Sequence, residues 1–257
     1  MSRLSDAVMG GKGPICFLTA GFPSAERSVE YAVACVRGGA SVIELGVPFS
    51  DPVADGKVIQ YTSQKALEAG MTPAKVFDLV RELRTRTEMP IVLMGYYNPI
   101  FRIGEAEYVR RTKEAGADGL IVPDLPLEES RSLMTCARSQ GVDLVQLVGP
   151  TSSEERMRAI AKCSSGFLYL VSSMGTTGTR KELGADVAEL VARAKRAAGT
   201  IPLGVGFGVS RPEHVTRLKK AGADAAIVGS AILQMIIDGQ GPGEVEAFVR
   251  SLAEEGL

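Results

Sequence analysis

Arg37-Gly38-Gly39-Ala40-Ser41-Val42-Ile43-Glu44-Leu45-Gly46-Val47 marks a helix end followed at once by a strand. A basic residue and glycines close a helical pattern, and an apolar run begins at once. The basic side chain suits the negative end of a helix, and glycine supplies the left-handed residue that stops one. The passage recurs as Lys113-Glu114-Ala115-Gly116-Ala117-Asp118-Gly119 and as Lys220-Ala221-Gly222-Ala223-Asp224-Ala225. Tight helix-to-strand turns of this kind belong to the bottom of an α/β barrel. The longer strand-to-helix loops belong to its top, where barrel active sites form.

Outward from that stretch, strand-like runs cover Ile15–Ala20, Ser41–Val47, Pro90–Gly95, Gly119–Val122, Val142–Val148, Phe167–Ser172, Ile201–Gly206 and Asp224–Gly229. Each is nearly continuous in Val, Ile and Leu, as parallel strands covered on both faces are. Helical patterns separate them: Ala25–Arg37, Lys57–Glu68, Pro73–Thr85, Glu105–Ala115, Glu128–Ser139, Ser153–Ala161, Asp186–Ala197, Arg211–Ala221 and a closing Gly243–Glu254. The top loops are predicted at 46–56, 96–104, 123–127, 149–152, 173–184, 207–210 and 229–230. Eight β-then-α units without a composition break predict one α/β domain over 1–257, a single-domain (β/α)8 TIM barrel with an extra N-terminal helix. The length of 257 residues suits that fold.

The chain is 45% hydrophobic with a net charge of −1. Nothing in that balance predicts a nucleic-acid or membrane partner. No apolar run approaches the roughly 20 residues of a membrane span, and the opening residues lack the apolar core of a signal peptide. Cys16, Cys35, Cys136 and Cys163 are scattered without a CxxC pair, which predicts reduced thiols and a cytoplasmic setting. His214 stands alone, in Arg211-Pro212-Glu213-His214, and reads as a solvated residue on a helix's first turn. One histidine argues against a zinc site or a Ser-His-Asp triad, so no metal is predicted.

The chemistry gathers in Glu44-Leu45-Gly46-Val47-Pro48-Phe49-Ser50-Asp51-Pro52-Val53-Ala54-Asp55-Gly56. Strand alternation puts Val42, Glu44 and Gly46 on one side and Ile43 and Leu45 on the other. If the second side packs on helices, Glu44 points into the barrel. A buried acid is costly unless paired, protonated or working, and burial raises its pKa toward the range of a useful proton donor. Asp55 and Tyr169 complete an inner-face set suited to proton transfer to carbon without a cofactor. Asp55 could instead cap a helix, and Tyr169 could be core packing. No lysine lies within a strand, which argues against a Schiff base.

Two Gly-rich turns follow the last strands, Gly204–Ser210 and Gly229-Ser230, with Gly175-Thr176-Thr177-Gly178-Thr179 after the sixth. Glycines let main-chain amides approach an anion, and helix N-termini add positive potential. Three such turns in one barrel quadrant predict a phosphate site, although each could be only a tight turn. Without a Walker lysine the ligand reads as a phosphorylated small metabolite.

The 44–56 stretch closely resembles the signature of the tryptophan synthase alpha subunit family. Gly95-Tyr96-Tyr97-Asn98-Pro99-Ile100, Val122-Pro123-Asp124-Leu125-Pro126, Gly206–Ser210 and Gly229-Ser230 continue the match in register. The resemblance implies a cofactor-free lyase that cleaves indole-3-glycerol phosphate to indole and glyceraldehyde 3-phosphate. It implies that Glu44 protonates indole C3, that Asp55 holds the indole N–H, and that Tyr169 lies beside the glycerol portion. It also puts Gly178, Phe207, Gly208, Gly229 and Ser230 in the phosphate cradle, and Phe17, Met94 and Ile121 against the indole. Thr177 would close a lid, 173–184, against the Asp55 loop. The implied partner is a pyridoxal-phosphate-bearing beta subunit in an alpha2beta2 heterotetramer, met by loop 48–56 and by 98–101 and 124–126. Phe22, Lys57 and the arginine-free 173–176 depart from the pattern. A freestanding indole-releasing lyase, a non-catalytic activator and another phosphosugar isomerase or epimerase are the competing readings.

Overall fold

A computed structural model describes residues 1–11, 13–171 and 185–254. Its elements run α1 (Arg3–Gly10), β1 (Ile15–Thr19), α2 (Ala25–Arg37), β2 (Val42–Gly46), α3 (Lys57–Glu68), α4 (Pro73–Arg84), β3 (Ile91–Met94), α5 (Tyr97–Ile103), α6 (Glu105–Ala115), β4 (Gly119–Ile121), α7 (Arg131–Ser139), β5 (Asp143–Val148), α8 (Glu154–Cys163), β6 (Leu168–Val171), α9 (Ala185–Ala198), β7 (Leu203–Gly206), α10 (Pro212–Lys220), β8 (Ala225–Val228), α11 (Ser230–Ile237) and α12 (Pro242–Glu254). The eight strands close into a barrel in sequence order. All neighbours are parallel, and β1 pairs with β8 through Ile15↔Ile227 and Cys16↔Val228.

Alternation along each strand sorts the core into two layers. Val42, Val92, Ile121, Val145, Phe167, Tyr169, Ala225 and Ile227 fill the barrel. Ile43, Leu45, Leu93, Leu120 and Leu144 pack with the surrounding helices. Glu44, one residue from Ile43 on either side of the pleat, therefore shares the interior face with Val42. The expected extra N-terminal helix is α1. Its Ser2 cap accepts from the Ser5 N–H at 3.2 Å, and its Leu4 and Val8 join the interior cluster. A Cβ at Gly166 would lie 2.6 Å from Leu4 Cδ2, so the plug fits only because that position is bare.

The repeated helix-to-strand passages do more than turn the chain. Gly39, Gly116 and Gly222 all have positive φ, as the C-cap reading requires. The aspartates that follow reach sideways to the preceding strand. Asp118 accepts from the Ile91 N–H at 2.9 Å and from Arg84 at 3.0 Å and Arg3 at 3.2 Å. Asp224 accepts from the Leu203 N–H at 2.7 Å and pairs with Lys195. These carboxylates pin neighbouring strand starts together at the base.

Four expectations need correction. The 96–104 segment is not a loop but carries α5, a helix with Pro99 in its first turn, where a missing N–H costs nothing. The Gly229-Ser230 turn runs directly into α11, whose residues are mostly apolar and show no polar face to signal a helix. His214 does sit in the first turn of α10, but it is buried, and its Nδ1 accepts from the Ser210 N–H at 3.4 Å. Helix α7 also begins three residues later than the periodicity predicts. Among the described residues no helix is long and apolar enough to cross a membrane.

Candidate active site

Strand β2 carries the central group. Glu44 lies in register with Phe17 on β1 and Val92 on β3, at zero exposure. Neither of its carboxylate oxygens has a hydrogen-bond partner among the described residues. Burial first, and then the charge of Asp55, push its pKa from 4.5 to about 8. A carboxyl in that state is mostly protonated at neutral pH, and so can donate.

Asp55 comes from the loop between β2 and α3. Burial pushes its pKa up to about 6, and an opposing interaction with the Tyr96 hydroxyl restrains the rise. Near pH 7 the two acids therefore differ in charge, one mostly neutral and one mostly ionised. Asp55 lies in a cleft of about 260 Å³, counting its open mouth, with Phe17, Gly46, Met94, Tyr96 and Pro123 among its walls. A Cβ at Gly46 would fall 2.5 Å from Phe17 Cζ, so this glycine makes room for the aromatic wall. Phe17 also packs with Ile59 and Leu233. Ile121 is buried in the barrel interior beside the Met94 position of β3, its register partner.

Tyr169 projects from β6 into the same interior, its ring 6.0 Å from Phe167. Its hydroxyl lies 3.1 Å from where a Cβ at Gly206 would stand, toward the end of β7. Burial, then Glu44 and Asp55, hold the phenol protonated. Glu44, Asp55 and Tyr169 thus influence one another electrostatically across β2, its loop and β6.

The Gly-rich turns after β7 and β8 are adjacent by strand order. Gly208 has φ +67, and Gly229 caps α11, with Ser230 as its first residue, buried. The first amides of α11 have no acceptor within the helix and can meet an anion. The Phe207 side chain packs in the layer outside the barrel, so that residue has only its main chain to offer a cradle. Thr177 and Gly178, with the expected 173–184 lid, lie outside the described residues. Among the described residues no three His, Cys, Asp or Glu side chains converge to hold a metal.

One residue of the cleft escaped the sequence reading. Tyr96 touches Asp55 and its hydroxyl accepts from the Ala54 N–H at 3.0 Å. Its position after the end of a barrel strand was the available signal.

The family model described as tryptophan synthase alpha chain matches residues 7–255. A tryptophan synthase alpha chain from Methanosarcina barkeri is 45% identical over 239 residues, covering 93% of this chain and 89% of its own length. One from Dehalococcoides mccartyi is 40% identical over 254 residues, covering 99% of each. A crystal structure of a tryptophan synthase complex from Pyrococcus furiosus includes a chain that superimposes with a TM-score of 0.88 at 38% identity. It covers 95% of this chain and 98% of that one.

Proposed function

We propose roles for the residues of this site from one premise: the chain belongs to the tryptophan synthase alpha chain family. It is accordingly a carbon–carbon lyase of tryptophan biosynthesis, cleaving indole-3-glycerol phosphate to indole and glyceraldehyde 3-phosphate. Glu44, protonated near neutral pH, gives its proton to indole C3. Positive charge then develops at the ring nitrogen, and ionised Asp55 accepts the N–H hydrogen bond and stabilises that charge. Glu44, now a carboxylate, takes the proton of the C3′ hydroxyl. The C3–C3′ bond breaks, its electron pair restores the indole ring, and the C3′ carbon leaves as an aldehyde.

The observation that carries this reading is a pair of interacting carboxyls, Glu44 inside the barrel and Asp55 on the loop that follows its strand, whose pKa values stand apart, about 8 and about 6. Groups so separated take the acid and the electrostatic role respectively. Phe17, Met94 and Ile121 supply apolar walls for the indole. Tyr169 stands beside the glycerol portion. The amides of Gly208, Gly229 and Ser230, with Phe207 N–H, bind the phosphate, and Thr177 and Gly178 complete that end. Phosphate binding energy then orients the reacting carbon.

The partner is a beta subunit, docked on the top face in an alpha2beta2 assembly, to which apolar indole passes directly. The complex named for the Pyrococcus furiosus structure supports it, as do Val53 and Phe101, large apolar side chains left exposed on that face. The four free thiols suit a cytoplasmic location. An indole-release assay on the purified chain with indole-3-glycerol phosphate, with and without a beta subunit, tests the whole reading. Release that rises on adding the subunit is expected. No release under either condition overturns the activity, and an unchanged rate overturns the partnership.

A further inference from the structure

Loop 48–56 carries Asp55 on a segment with little regular structure of its own, so something else must fix where the carboxylate points. Tyr96 does this from the end of β3. It is 5% exposed and is the N-cap residue of α5. Its ring stacks on Phe49 at the start of the loop, with centroids 5.2 Å apart and planes at 30°. Its hydroxyl accepts the Ala54 N–H, at 3.0 Å, near the loop's end. One rigid side chain therefore grips both ends of the loop. With its oxygen occupied as an acceptor, the hydroxyl's own hydrogen is free to donate, and Asp55 lines the same cleft, close enough for the two groups to shift one another. The next residue is anchored in turn, because the Tyr97 N–H donates to Asp124 at 2.9 Å.

We propose that Tyr96 is a positioning residue for the cleavage, clamping the 48–56 loop and aiming the ionised Asp55 carboxylate into the cleft. The inference rests on the role given to Asp55 above. Around Asp55 the titratable groups among the described residues are Glu44 from β2, Tyr169 from β6 and Tyr96 itself, with Asp124 behind Tyr96. Glu44 and Tyr169 are neutral near pH 7, so the Tyr96 hydroxyl is the interaction that favours the charged form of Asp55.

Tyr96→Phe keeps the ring and removes the donor. Asp55 then titrates higher, and the ionised fraction needed for catalysis is reached only at higher pH. The expected result is a kcat lower by about tenfold and an acid limb of the pH profile moved up by about one unit, with KM changed less than about twofold. A kcat and acid limb at wild-type values, or a loss confined to KM, overturns the proposal. Should circular dichroism show that this variant does not fold, Phe49→Leu takes its place. It loosens the grip but keeps the hydroxyl, so kcat should fall about threefold with the acid limb unmoved; wild-type kcat in that variant overturns the clamp. Asp55→Asn is assayed in parallel. If it works at the wild-type rate, the role of Asp55 itself fails. If it is impaired while Tyr96→Phe is not, only the positioning inference fails.

Discussion

The carboxylates at the base of the barrel and the one at its centre are the same kind of group treated in opposite ways. Asp118 receives a main-chain N–H and two arginines. Asp224 receives an N–H and a lysine, and Asp143 receives the Ser2 hydroxyl. Glu44 receives nothing from the described residues and is wholly buried. Satisfied acids at a barrel's bottom hold strands in register. An unsatisfied one at the barrel's centre destabilises the fold and keeps a proton that chemistry can use. A structural carboxyl is told from a working one by counting what each is given, not by how deep it lies.

The sharpest way to break that contrast is at Glu44. Glu44→Gln keeps shape and removes the transferable proton. Indole release should fall by roughly 10³-fold or more, while calorimetry with glycerol 3-phosphate should find anion affinity near wild type. Release at the wild-type rate would dissolve the distinction between the two regions. Asp55→Asn should lose about 10²-fold in kcat, because it removes a charge that stabilises the developing cation and leaves the proton donor in place.

The contrast also predicts how stability follows pH. Glu44 has a folded pKa of about 8 against 4.5 for the ordinary carboxyl. Its folded form therefore holds a proton that the unfolded chain has released. The group's contribution is fully favourable below the unfolded value and is lost as pH rises from about 4.5 toward 8. Within that window the loss approaches 1.4 kcal/mol per pH unit, or about 3 kcal/mol by pH 7. Denaturant unfolding across pH 5 to 8 should thus fall more steeply for wild type than for Glu44→Gln, most clearly above pH 6, because Asp55, raised to about 6, adds a shared slope below that. Parallel curves for the two proteins would mean that Glu44 is ionised in the folded state, and hence paired after all.

Much of this architecture was legible in the sequence. All eight strand runs and the nine helical patterns are present, most bounds within two residues, because buried parallel strands and glycine-capped helices write strong local signals. Helices α5 and α11 were not legible. The first is seven residues long and holds a proline, and the second has no polar face. The sequence does not reveal which way a helix's first turn faces, and His214 on that turn is buried. At the site, Glu44 announced itself as an acid among strand hydrophobics. Tyr96 did not, since its partner Ala54 is 42 residues away and only the closed barrel brings them together. The same holds for the aspartates of the repeated turns. Their glycines and cations gave the turn, but Asp118 meets Ile91 27 residues back and Asp224 meets Leu203 21 residues back.

Those aspartates give the smallest effect and the complementary half of the contrast. Asp118→Ala orphans the Ile91 N–H and leaves Arg84 facing only main-chain carbonyls at Gly116, Thr87 and Met89. The cost should be about 2 kcal/mol, from an unmet donor and a lost charge-assisted bond, with kcat for indole release unchanged. Asp224→Ala orphans the Leu203 N–H in the same way, but its cation differs. Lys195 is 35% exposed against 18% for Arg84, so water can solvate the abandoned ammonium. Its cost should be nearer 1 kcal/mol. Urea unfolding of the two variants should rank them in that order, with both retaining full turnover. A base carboxylate whose removal cost turnover but not stability would have to be counted with Glu44, and the division of labour between the two ends of the barrel would fail there.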